Sequence, residues 1–266
     1  MKKLIYFTSI ALIILSSCSK ESNDVAPIPT LTTTPTPSPS PSPSPSPSIV
    51  SNPGNGVTDL DGNSYPSIVL GNGQEWMGEN LKTTKYSNGD SIPEITNGGQ
   101  WSGLATGAYC WYNNDSASYE TPYGKLYNWF TVADSRNACP TGWRVPSDDD
   151  WKMLEYYLGM DSVELDSINI MTRGTDEGGK LKETGSTHWS ITNIGATNEI
   201  NFTAVPAGYR DVTSSFNVIN GATWFWSSNA FDTQNAISRA LPGGGTEITR
   251  WTDDKGEGYS VRCIKN

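Results

Sequence analysis

Residues 35 to 48 alternate Pro with Ser or Thr almost without interruption. Proline locks φ and carries no N–H, so such a tract supports neither a helix nor a sheet and favours extended polyproline II. Nine of the 17 prolines fall between residues 27 and 47, whereas all 10 tryptophans and all 26 glycines lie at or after Gly54. The chain is therefore two materials joined end to end. A disordered Pro/Ser-rich stalk is assigned, with the residues before it, to 18–53, and a folding unit long enough for one hydrophobic core occupies 54–266. From Pro27 to Pro53 the stalk can reach on the order of 80 Å at ~3.1 Å per residue.

Met1-Lys2-Lys3 followed by the apolar run Leu4 to Leu15 has the pattern of a signal peptide, 1–17, and is too short to span a bilayer. Leu15-Ser16-Ser17-Cys18 resembles the bacterial lipobox. That resemblance implies that Cys18 becomes an acylated mature N-terminus, with palmitate among its chains and the membrane as its partner. No Asp follows Cys18 directly, which is similar to lipoproteins sent to an outer membrane. The acid-containing stretch Ser19 to Asp24 is similar to export signals of surface lipoproteins in the Bacteroidetes. The expected location is the cell envelope, at the outer membrane, with surface display. With 18 Lys+Arg against 28 Asp+Glu the net charge is −10, and loss of Lys2 and Lys3 takes it to −12. Such an acidic chain has no basic footprint for nucleic acid.

Within the folding unit, Asp59 to Asn63 reads as a hairpin turn; as a calcium loop it lacks the twelfth-position Glu, since Leu70 stands there. Ser64 to Leu70 and Gln74 to Leu81 read as strands around Gly71-Asn72-Gly73. Leu126, Trp129, Phe130 and Ala133 predict a helix over 124–134. A second helix is predicted after Ser147, with Asp150 at N3, a Trp151/Leu154/Leu158 stripe and Gly159 at its end. This accounts for Asp148-Asp149-Asp150 by capping, without a metal. Beyond Asn201 an antiparallel meander is expected over 202–205, 222–227, 236–241, 247–251 and 259–264, with the last strand pairing centrally or with the first ones.

Five segments occur in order: Gln74-Glu75-Trp76-Met77-Gly78-Glu79-Asn80-Leu81, Tyr123 to Trp129, Cys139-Pro140-Thr141-Gly142-Trp143-Arg144-Val145-Pro146-Ser147, Trp226-Ser227-Ser228 and Tyr259-Ser260-Val261-Arg262-Cys263. Together they resemble the Fibrobacter succinogenes major paralogous domain, itself similar to C-type-lectin-like folds of the formylglycine-generating type. The resemblance implies an α+β, C-type-lectin-like domain of two helices plus small antiparallel sheets on secreted or surface lipoproteins, and no established activity. For the three cysteines left after lipidation, the simplest arithmetic is one disulfide and one free thiol, with Cys263 as the shared partner. The resemblance favours Cys110 over Cys139 as its mate.

His188 is the only histidine, so no zinc set or His-based triad can be built, and no P-loop or other cofactor motif is present. Trp224 and Trp226 should share one strand face, with Phe225 on the other, as core residues. Trp251 beside Asp253 and Asp254 has the residue types of a sugar site, with Arg210 and Arg239 as neighbours from the same meander. The expected function is a non-enzymatic binding module for a neutral glycan or a surface protein. The alternative is a structural or adhesin component of a surface assembly, and the third reading is an enzyme of unknown reaction.

Overall fold

A computed structural model describes residues 49–266, apart from 172 and 191. Cys18 and most of the stalk lie outside the described residues. The stalk was expected to run to Pro53, but its last residues are part of the fold: β1 (Ser51–Pro53) lies antiparallel to β4 (Ser67–Leu70). Pro53 is tolerated because β1 is an edge strand. The Tyr157 hydroxyl accepts from the Val50 N–H at 2.6 Å and donates to the Val50 carbonyl at 2.7 Å.

Asp59 forms the expected hairpin turn between β2 (Val57–Thr58) and β3 (Ser64–Tyr65), its carboxylate accepting from the Asp61 and Asn63 N–H groups. A second turn joins β4 to β5 (Glu75–Met77). The chain then reaches the C-terminus: β14 (Ile264–Lys265) lies between β5 and β8 (Trp143–Arg144), with Ile264 opposite both Trp76 and Arg144.

The architecture is mixed α/β with few helices and several small antiparallel sheets. The helix predicted over 124–134 is one turn, α3 (Trp129–Val132). Its first residues instead form β7 (Leu126–Tyr127) against β6 (Tyr109–Cys110). Two interactions explain the difference: Asn128 caps α3 by accepting from the Thr131 N–H, and Tyr127 exchanges backbone hydrogen bonds with Tyr259. Single turns α1 (Gly98–Trp101) and α2 (Ser116–Tyr119) precede it. The predicted second helix is α4 (Asp148–Tyr157), closed at its start by a reciprocal Ser147/Asp150 capping box. The short α5 (Glu177–Leu181) follows. No strand forms over 202–205, where Ala204 makes a single bridge to Lys182.

After the ribbon of β9 (Tyr209–Arg210) and β10 (Phe216–Asn217), the meander is three strands: β11 (Ala222–Ala230), β12 (Asn235–Pro242) and β13 (Thr249–Asp254). Its two faces do different work. Phe225 and Leu241 point into a core with Trp76, Trp151, Leu154 and Phe202. Behind the same face, Glu155 of α4 accepts from Arg239 and Arg173, and Asp148 holds Arg250 and Arg239. Trp226 leaves from the opposite face into a second core with Met77, Tyr127, Trp143, Tyr259 and the cystine.

The disulfide joins Cys139 to Cys263, and Cys110 is a buried free thiol. Pairing of β8 with β14 sets the loop before β8 against the end of the chain, with the two cysteine Cα atoms 6.0 Å apart. Cys110 is instead committed to β6 and packs with Trp101 and Leu126, where burial pushes its thiol up to about 12.

Candidate ligand-binding groove

Because side chains alternate along a strand, the face of the meander turned away from α4 carries Trp224, Ala240, Thr249, Trp251 and Asp253. The register sets Trp224 beside Ala240 and Ala240 beside Thr249, while Ser238 stands beside Trp251 and Ala236 beside Asp253. Small residues on the central strand between bulky ones on its neighbours make a trough. It is a groove of about 550 Å³, with Tyr209 and Tyr259 adding to the Trp224 side and the highly exposed Met171 at its edge.

Backbone pairing of the 258–260 segment holds this wall in place. Ser260 donates to the Trp224 carbonyl and accepts from Trp226, Gly258 exchanges hydrogen bonds with Arg210, and Tyr259 pairs with Tyr127. The rings meet closely, Tyr209 on Trp224 at 4.7 Å and Tyr259 on Tyr209 at 5.9 Å between centroids. The same stitching brings the turn after β13, and with it Glu257, over the end of the trough.

Two carboxyl groups sit at that end. Ser238 donates its hydroxyl to Asp253 at 2.5 Å, and burial pushes the Asp253 carboxyl above the usual range. Burial, reinforced by the neighbouring Asp253 and Asp211, raises Glu257 to about 8. Glu257 Oε2 is buried without a hydrogen-bond partner among the described residues. Burial thus favours the neutral form of Glu257 at the end of the groove. A third acid, Glu247, also lines the groove, and among the described residues no Lys, Arg or His does.

Trp251 and Asp253 thus meet as the sequence suggested, within a strand and not a turn. Asp254 does not join them. It projects from the other face toward a smaller hollow of about 220 Å³ with Trp101 and Lys255. Arg210 and Arg239 are fully buried and face no ligand. The Arg210 guanidinium donates to the Ile95 and Thr96 carbonyls and lies 4.4 Å over Trp101, while Arg239 belongs to the ion network behind the sheet. His188 is half-buried in a loop, paired with Glu183.

Tyr209, Trp224, Glu257 and Tyr259 were not singled out as site residues. Trp224 was expected in the core with Trp226, with which it shares a strand face; it packs against that core but is only partly buried and lines the groove. For Glu257 no sequence signal existed, because its place depends on how the 258–260 segment docks. The five ordered segments mostly build the frame. Arg262 donates to Asn80 Oδ1 at 2.7 Å, Ile264 stands opposite Trp76, and Trp129 Nε1 donates to the Ser227 carbonyl. Among the groove residues named above, only Tyr259 belongs to those segments.

A family model described as Fibrobacter succinogenes major domain matches residues 69–265. No curated protein and no solved structure matches the chain.

Proposed function

We propose that this chain, which belongs to the Fibrobacter succinogenes major domain family, is a lipid-anchored cell-envelope protein that binds a glycan in the aromatic groove of its meander. The groove carries the proposal: Trp224 and Trp251 supply flat apolar faces for sugar rings, and Asp253 and Glu257 supply hydrogen-bonding groups at one end. The N-terminal lipobox-like segment supports anchoring at Cys18 in the outer membrane, with the Pro/Ser stalk standing the domain off at the cell surface. A C-type-lectin-like fold is part of this reading, supported by small antiparallel sheets with joined chain ends and one capped helix behind the meander.

The acidic surface disfavours polyanions, since like charges cost affinity and slow encounter. The test is a glycan array followed by calorimetry on the purified full-length protein. Binding to non-anionic glycans, without cleavage products by chromatography, is the expected result. Turnover of the bound glycan would favour the enzyme reading, and no binding to any glycan would favour a structural role in a surface assembly.

A further inference from the structure

We infer that the glycan recognised by this groove carries a protonated amine, an amino sugar whose nitrogen is not acylated, seated between the indole faces and the Asp253/Glu257 end. The inference rests on the glycan reading and narrows it. Its basis is a mismatch of charge. Three acids line the groove, and none of the residues lining it is a cation.

Two buried ammonium groups lie close by in the fold, and both are engaged by carbonyls: Lys182 Nζ by Ile194 at 2.9 Å, Pro242 at 3.1 Å and Gly245 at 2.7 Å, and Lys255 Nζ by Asp232 and Thr233. Lys182 ties down the loop at the groove edge, and its charge acts on Glu247, away from the Asp253/Glu257 end. Behind the meander the buried acids are matched by arginines: Asp148 has Arg239 and Arg250, and Glu155 has Arg173 and Arg239. Glu257 has no such partner among the described residues: its charged neighbours are Asp253 and Asp254 of β13 and Asp211, and its Oε2 is buried and unpartnered.

Electron-rich aromatic faces beside unmatched carboxyl groups are the chemistry that receives an organic ammonium, because ring quadrupole and carboxylate both favour positive charge. An N-acetylated sugar offers the same ring to Trp224 and Trp251 but no cation. Burial and the neighbouring acids favour the neutral form of Glu257; an ammonium at that point favours its ionised form.

The experiment compares glucosamine oligosaccharides with N-acetylglucosamine oligosaccharides of the same length, by calorimetry on the full-length protein at pH 6.5 and at two salt concentrations. The free-amine series should bind at least about tenfold tighter at low salt, with an advantage that shrinks as salt rises. Glu257→Gln should abolish most of that advantage. Equal or tighter binding of the N-acetylated series overturns the amine inference and leaves the glycan reading standing. Persistence of the amine preference in folded Glu257→Gln moves the cation away from this end of the groove and also overturns it. Absence of binding in both series, together with a blank glycan array, overturns the glycan reading itself. The wild-type comparison decides the matter even if the variant does not fold.

Discussion

Two tryptophans of the meander have different duties set by their surroundings. Trp226 is fully buried, donates Nε1 to the Tyr127 carbonyl at 2.9 Å and stacks 4.4 Å from Tyr259. Trp226→Ala should destabilise the fold by about 3–5 kcal/mol, the cost of a large core cavity, read by denaturant titration. Trp251 is only half-buried, on the outer strand. Trp251→Ala should remove glycan binding while leaving the near-ultraviolet signal and melting temperature close to wild type. If it unfolds the protein, its indole belongs to the core and the groove assignment fails. Glu257 gives a prediction in pH. Its folded value of about 8 lies above the ordinary 4.5, so between those values the folded state holds a proton that the unfolded chain has released. Stability therefore declines as pH rises through that window. Glu257→Gln, neutral throughout, should match wild type near pH 4.5 and gain in melting temperature progressively toward pH 8. A constant difference across the window would refute the assignment. Asp148 has the opposite sign: burial opposes its ionisation, but Arg250 and Arg239 hold its carboxyl well below the usual range. Its contribution is present at neutral pH and fades only in acid.

At the scale of elements, α4 is the one helix whose sequence carried a complete signal, because a cap, a stripe and a stop are local and cooperate within ten residues. The helix predicted over 124–134 had an apolar period and no cap at its first residue. Tertiary pairing of Tyr127 with Tyr259 outweighed that period, and the true N-cap, Asn128, starts a single turn. The N-terminal edge shows the converse. Ser51–Pro53 has a linker's composition, yet its backbone completes the sheet edge, and Ile49 packs on the core behind it. Deletion through residue 48 should leave the melting temperature nearly unchanged, whereas deletion through residue 53 should lower it clearly. Equal behaviour of the two truncations in thermal scans would show that β1 contributes nothing.

At the scale of the whole folded unit, the seating of its last strand matters most. β14 between β5 and β8 and the Cys139–Cys263 link close a loop of 124 residues, worth about 5 kcal/mol in the chain-entropy model. Anchoring belongs to this scale too. Cys18→Ala should shift the protein from the membrane fraction to the soluble fraction of its host, and unchanged partitioning would refute lipidation there. By itself the sequence determined the Pro/Ser tract, the capped helix, the alternation of Trp224, Phe225 and Trp226, and the family's five segments, because all of these are local in spacing or composition. Only the tertiary structure decided which cysteine meets Cys263, that Arg210 and Arg239 are buried while Trp251 and Asp253 line a groove, and that Glu257 lies unpaired at its end. Each of those depends on which distant strands become neighbours, and strand register across 100 or more residues is set by packing of the whole core.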